Sequence, residues 1–421
     1  MLIDFSVANF RSIKKKQVFS FAAAKGDELG ETHTFQSEVA KLPNLLRSAV
    51  MYGANASGKS NVLRALGFMN FLVLNSFSAL QEGQLIPITP FLFDPESSKA
   101  PSEFEITFIS DGVRYQYGFA AMQQRIHEEW LIAYPEGKPQ RWFERVFNLG
   151  TSLYEWQFSR NFIGQKEVIK TATRSNALFL STAIQLNNDQ LKPVFNWFSS
   201  KLDVILPGFN INLQFTLDKC ATEQGKQGIL SFMNAADISI ANIKLEKKAF
   251  DPGMVPNILA PELRDRLIAD MYGKELTSVK FVHDSGAGSG ILDLNDESQG
   301  TQKLFAFAGP WLDVLARGKV LVVDELDTSL HPLLVRHLVG LFHNPKTNPL
   351  NAQLLISTHD TTLLDPATYR RDQVWFTEKD EHGATSLYSL AEFRPRKNEA
   401  FERGYLKGRY GALPFIGEFS F

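Results

Sequence analysis

Apolar and polar positions alternate in short runs over the first fifty residues: Leu2-Ile3-Asp4-Phe5-Ser6-Val7, then Asn9-Phe10-Arg11-Ser12-Ile13, then Val18-Phe19-Ser20-Phe21. A period of two predicts a meander of short strands. Residues 46–52 (LRSAVMY) form an apolar strand that stops at Gly53, and from Ser60 the spacing NVLRALGFMNFLVL becomes helical. Strand character returns at 104–108, 114–119, 129–133 and 142–147, separated by turns such as Ser110-Asp111-Gly112. Beyond about Thr171 the texture is helical, over 177–186, 190–206 and 226–236, with Pro207-Gly208 as a break. Strands are expected again at 238–245, 279–282, 319–323 (KVLVV) and 354–357 (LLIS). The last two are unbroken apolar runs, the signature of parallel strands buried on both faces. No heptad pattern persists over three repeats, so long coiled-coil arms are not expected.

Length and composition narrow the picture only a little. At 421 residues the chain has room for two or three units. Lys and Arg total 44 against 46 Asp and Glu, so no global basic field draws it to nucleic acid or anionic lipid. The longest apolar stretch, 66–74, is broken by Asn70 and too short for a bilayer, which needs about 20 residues. Cys220 is the only cysteine, which excludes an intrachain disulfide, and no basic-then-apolar leader opens the sequence; a cytoplasmic protein without a membrane span is expected. The 34 Phe and 6 Trp are consistent with a large core or with aromatic subunit contacts.

The chemistry is concentrated in motifs. Gly53-Ala54-Asn55-Ala56-Ser57-Gly58-Lys59-Ser60 is a complete GxxxxGKS between a strand and a helix. Glycines let backbone N–H groups wrap phosphates, Lys59 reaches the β and γ oxygens, and the Ser60 hydroxyl ligates Mg2+. The strand 320–323 ends in Asp324-Glu325, one acid to support the metal and one to orient or deprotonate water. It continues as Leu326-Asp327-Thr328-Ser329-Leu330-His331-Pro332, and the strand 354–357 runs into Thr358-His359. Upstream, Asp296-Glu297-Ser298-Gln299-Gly300-Thr301 opens a helical pattern, the kind of helix start that attracts a phosphate. In a head-to-tail pair that turn would face the γ-phosphate on the partner's loop.

Taken together these segments resemble the ABC-type ATPases of the RecF/SMC/Rad50 branch. Within it they resemble the OLD-like and RloA-like ATP-binding proteins, which include ATPase subunits of bacterial anti-phage systems such as PARIS. The resemblance rests on NFRSI at 9–13, GANASGKSN, DESQGT, VLVVDELDTSLHP and ISTHD, in that order over nearly the whole chain. It implies an α/β P-loop NTPase with an ABC-type head, a strand-rich lobe plus a parallel-sheet lobe. The implied division is a first ATPase lobe at 1–170, a helical insertion at 171–238 and a second lobe at 239–421. It implies that Arg11, Gly53, Asn55, Ser57, Gly58, Lys59, Ser60 and Asn61 surround ATP, that Ser60 and Asp324 hold Mg2+, that Glu325 is the base, and that His359 contacts the γ-phosphate. Ser298, Gln299 and Gly300 would act across a homodimer or higher oligomer closed by an ATP sandwich, with Asp327 near the interface. The implied role is a sensor of a phage-derived trigger that controls a separate effector, a TOPRIM-type nuclease. No Asp-x-Asp occurs in the chain, so nuclease chemistry is expected on another subunit. The alternative reading is a RecF-like repair ATPase that binds DNA.

Three features fit less directly. The turn reads ESQGT where glycine-rich LSGGQ is the wider pattern, and no glutamine assigns itself as the Q-loop; Gln116 is the candidate, against a plain strand residue. His331, His337 and His343 are six apart, which does not put them on one helix face, so metal binding is not expected. Residues 394–409 hold six basic side chains and two acids, suited to a partner's acidic face or to nucleic acid as well as to solvent.

Overall fold

The computed structural model describes residues 1–421 except 40, 207–212, 237, 256–259, 274, 285–287, 397–398 and 415–421. The expected break at Pro207-Gly208, Lys397 of the basic stretch and the tail from Phe415 therefore lie outside the described residues. The chain forms two compact units. One comprises Met1–Phe209, Val314–Thr328 and Val335–Phe421; the other comprises Asn210–Asp313 and Ser329–Leu334.

The first unit contains two large sheets. Leu2–Ala8 and Gln17–Ser20 join five long strands, Ser102–Ser110, Val113–Ala121, Ile126–Tyr134, Gln140–Asn148 and Leu153–Phe158, in an antiparallel sheet in which Leu2–Ala8 pairs with Ser102–Ser110. The second sheet runs in the order Leu202–Ile205, Val320–Val323, Gln353–Ser357, Ser48–Tyr52, Val374–Lys379, Thr385–Ser389, parallel except for the last strand. Its central strands, SAVMY, VLVV and QLLIS, are buried throughout, as unbroken apolar runs covered on both faces must be. Helix Lys59–Asn75 links the two sheets: Val62, Leu63, Leu66, Met69 and Val73 share one core with Phe5, Phe104 and Phe119 on one side and Met51, Val322 and Leu355 on the other. Truncating such a residue, as in Leu66→Ala, costs about 2–5 kcal/mol.

The helical reading of 190–206 is corrected at its end. The helix covers Lys192–Ser200, and Leu202–Ile205 becomes an edge strand in register with Val320–Val323. Its alternation LDVI is too short to announce a strand, and only the parallel partner stabilises it. A buried pair, Glu129 and Arg145, holds the antiparallel sheet to helix Phe179–Gln185: the Glu129 carboxylate accepts the Phe179 and Leu180 N–H groups at 2.7 and 3.0 Å and pairs with Arg145 at 3.0 Å.

The second unit contains a three-stranded antiparallel sheet, Asn242–Ala249, Glu275–Asp284 and Ser289–Asp293, and helices Leu213–Cys220, Glu223–Ala235, Pro261–Met271 and most of Gln299–Arg317. Gln299–Arg317 contains Pro310, which has no N–H to give the carbonyl of Ala306. The Thr216 hydroxyl donates to that carbonyl at 3.1 Å instead, and also accepts the Gly309 N–H at 3.2 Å. Among the described residues, no helix is long and apolar enough to cross a membrane.

Candidate active site

Strands Ser48–Tyr52, Val320–Val323 and Gln353–Ser357 are parallel neighbours, so their C-terminal ends lie along one edge of the sheet, where ligands bind in open α/β sheets. The first end becomes the GANASGKS loop. Gly53, Ala56 and Gly58 all have positive φ, at 155°, 63° and 114°. At Gly53 a Cβ would collide with the Thr377 carbonyl oxygen and the Ser57 hydroxyl, and at Gly58 with the Thr385 side chain, so both positions require glycine. Helix Lys59–Asn75 starts directly from Gly58, which puts the helix N-terminus and its unpaired N–H groups at the loop, with Ser60 at the second helical position.

Hydroxyl groups from distant segments clamp the loop. Ser57 Oγ and Thr377 Oγ1 are 2.6 Å apart, and Thr385 Oγ1 donates to the Ser57 carbonyl at 2.8 Å. Ser12, from the NFRSI turn, lies 2.8 Å from Thr385 Oγ1 and accepts the Asn61 amide at 2.7 Å. None of Ser12, Thr377 and Thr385 is singled out by the motifs. Ser12 lies within one of them, but Thr377 and Thr385 sit in ordinary strand sequence and become visible only through pairing. Arg11 itself is exposed, with positive φ (52°), its N–H bonded to the Thr89 carbonyl at 2.9 Å; partial burial and Arg64 lower its pKa. Asn55 and Ala56 are exposed at the loop's tip.

Lys59 is 5% exposed, and its ammonium donates to the loop carbonyls of Gly53 and Ala54 at 2.8 and 3.2 Å. Burial lowers its pKa, and the charges of Asp324, Glu325 and Asp327 pull the other way. Ser357, at the end of its strand, ties the two acids together: its hydroxyl donates to Asp324 Oδ1 and accepts the Glu325 N–H, the latter at 2.8 Å. It lies within ISTHD, but the motif assigns it no role. Glu325 adopts φ of 55°, a left-handed conformation that costs of order 1–3 kcal/mol and is typical of residues held for function. Asp327 Oδ2 accepts the His359 N–H at 3.1 Å. Partial desolvation and Lys59 lower the His359 pKa, against the opposing pull of Asp327, Glu325 and Asp324, which favours the neutral imidazole at pH 7.

Two observations test the fit of Mg-ATP. Asp324 Oδ2 is buried without a protein hydrogen-bond partner, as a carboxylate reserved for a cation would be. The Lys59 ammonium, meanwhile, is turned back on its own loop's carbonyls, contacts that an anion can replace. Carboxylate and hydroxyl oxygens also suit a hard cation such as Mg2+.

The ESQGT turn belongs to the second unit. Ser298 Oγ accepts the Thr301 N–H at 3.1 Å, capping the helix Gln299–Arg317, while Ser298 and Gln299 are exposed. A Cβ on Gly300 would stand 2.9 Å from the Ser329 carbonyl oxygen. Gln116 lies in the antiparallel sheet and accepts the Tyr134 hydroxyl at 3.0 Å. His343 is buried, 2.6 Å from Ser48 Oγ, with its ring 3.7 Å from that of His33.

A parallel sheet whose strand ends carry a glycine phosphate loop and a paired acid turn defines a P-loop ATPase. Residues 48–365, about three quarters of the chain, match the family described as "AAA domain, putative AbiEii toxin, Type IV TA system", and the chain belongs to that family. No curated protein matches the chain in sequence. Solved structures similar to it include an SMC head bound to the C-winged helix domain of ScpA, at 14% identity over 94% of this chain and 99% of that one, TM-score 0.42. The SMC head domain from Thermotoga maritima is 11% identical over 92% and 98%, TM-score 0.40. The recombination mediator RecF with an ATP analogue, of the RecFOR pathway, is 16% identical over 92% and 98%, TM-score 0.34.

Proposed function

We propose that this chain binds and hydrolyses ATP as the nucleotide-driven subunit of a bacterial anti-phage defence system, and that it controls a separate effector, a TOPRIM-type nuclease. The observation that carries the ATPase reading is the buried, unpartnered Asp324 Oδ2 beside Glu325, tied to it through Ser357. In this reading the loop N–H groups and Lys59 bind the β and γ phosphates, Ser60 and Asp324 hold Mg2+, and Arg11, Asn55, Ser57 and Asn61 shape the rest of the nucleotide's surroundings. Bound Mg2+ neutralises charge on the phosphate oxygens. Glu325 takes the proton of the attacking water as its oxygen bonds to the γ-phosphorus and the bond to the β-phosphate oxygen breaks. Neutral His359 donates a hydrogen bond to a γ oxygen, and the Asp327 carboxylate, which accepts the backbone N–H of His359, fixes the main chain that carries the ring.

Ser298, Gln299 and Gly300 act on the nucleotide held by a second copy, with Asp327 near that interface. ATP closes the pair and hydrolysis reopens it, so occupancy is transmitted to the effector. The family description, which names a toxin of a TA system, supports a defence role over housekeeping repair.

The test is the native mass of the Glu325→Gln protein isolated from its own host in Mg-ATP. Extra protein at fixed stoichiometry supports the proposal. A mass that is a plain multiple of 47.4 kDa, or one that includes DNA, contradicts it and favours a RecF-like activity.

A further inference from the structure

The antiparallel edge of the parallel sheet carries a cavity of about 540 Å3 that the nucleotide chemistry does not use. It is lined by Glu378, Tyr388, Glu392, Phe393, Tyr410 and Gly411. Three rings form its corner: Tyr388 and Phe393 have centroids 5.7 Å apart at 54°, Phe393 and Tyr410 5.4 Å apart at 69°. An ordinary core would bury all three. Tyr410 is buried, but Phe393 is 39% exposed at the mouth.

Two exposed carboxylates share the cavity. Glu378 Oε2 accepts the Tyr388 hydroxyl at 3.2 Å, and Glu392 Oε1 accepts the Ser389 N–H at 2.9 Å. Among the described residues neither has a Lys or Arg partner. Arg409 pairs with Glu399 and Arg371 with Glu28, while Arg394, which follows Phe393, is exposed. The opening also depends on a missing side chain. Gly411 has φ of 66°, and a Cβ there would stand 2.8 Å from the Tyr388 hydroxyl and 2.9 Å from Glu378 Oε2.

We propose that this cavity docks a cationic side chain, an arginine projecting from a basic segment of a partner protein. Ring faces attract cations through their quadrupoles, and guanidinium adds planar stacking and a fork of donors matched to carboxylates. An apolar occupant would strip water from two carboxylates without replacing its hydrogen bonds, and an anion would be repelled. The position bears on the phosphate loop as well. Thr377, next to Glu378 on the same strand, contacts Ser57, and Ala412–Pro414, which follow Gly411, line a cavity of about 270 Å3 with Asn55, Ala56 and Ser57.

The proposal does not depend on the defence reading. Its test uses the full chain and a fluorescein-labelled Gly/Ser peptide carrying two spaced arginines, beside a twin with citrulline in their place. The arginine peptide is expected to bind at least about tenfold more tightly, and the preference to fall below about twofold in Glu378→Gln/Glu392→Gln. Should the double variant melt early, Glu392→Gln alone, on an exposed turn, must still reduce the preference. Equal binding of the two peptides, or a preference that survives in a folded variant, overturns the proposal. So does displacement by free arginine at lower concentration than by unlabelled peptide, which would assign the cavity to a small cation.

Discussion

The phosphate-loop edge of the first unit and the Ser298–Gly300 turn of the second spend their polar groups differently. At the loop, side chains from four separate segments, carrying Ser12, Ser57, Thr377 and Thr385, fix one backbone path, and the ammonium of Lys59 is buried against carbonyls. At the turn, Ser298 caps its own helix and is otherwise exposed. The first region is built to hold a ligand within one chain. In the proposed ATP sandwich, the second region would be completed by the nucleotide held on another copy of the chain.

Substitutions in the phosphate loop itself are expected to weaken nucleotide binding, whereas those in the second region leave binding intact and impair assembly. Lys59→Ala should have the largest effect, weakening ATP binding by at least about 100-fold, or about 2.7 kcal/mol, by titration calorimetry. Gly58→Ala should follow, because both its φ and the Thr385 side chain oppose a Cβ; a loss of about 2–3 kcal/mol in denaturant unfolding is expected. Ser357→Ala unties Asp324 from Glu325 and should lower kcat roughly tenfold, with ATP affinity changed less than kcat. Gly300→Val should leave monomer affinity for ATP within about twofold while ATP-dependent association, read by sedimentation, is lost. Loss of ATP binding in that variant would erase the contrast.

The smallest effect concerns pH and lies far from the nucleotide. Burial lowers the His33 pKa to about 4 and sends that of His343 well down as well. Both rings are therefore neutral in the fold and protonate more readily when unfolded, with an ordinary value near 6.5. The contribution is complete above about pH 6.5 and is lost as pH falls towards 4, since the unfolded chain then binds more protons. Melting temperature should decline across that window, less steeply in His33→Phe. A profile unaltered by the substitution would remove His33 from the account.

What was legible in the sequence follows from the range of the interactions. GANASGKS and VLVVDE could be read because a phosphate loop and a strand-end acid are fixed by local backbone geometry and by burial on both faces. Thr377 and Thr385 could not, and Ser357, though inside ISTHD, shows no role there. Each acts through a strand partner or a segment distant in sequence, and a hydroxyl on a strand carries no signal of its own. Leu202–Ile205 was obscured for a related reason, since only its parallel register with Val320–Val323 makes it a strand. In the second unit the expected strand at 238–245 is shifted to Asn242–Ala249, whose lysine-rich alternation hides the period. Ser289–Asp293 is exposed throughout, and burial left no pattern there to read.

ATP turnover by Glu325→Gln, set beside ATP binding by the same protein, tests Glu325 as the base of hydrolysis. Affinity close to that of the unaltered chain is expected, with kcat reduced by roughly 10²–10⁴-fold, the contribution of a positioned base. Turnover equal to that of the unaltered chain, with binding preserved, would contradict that role.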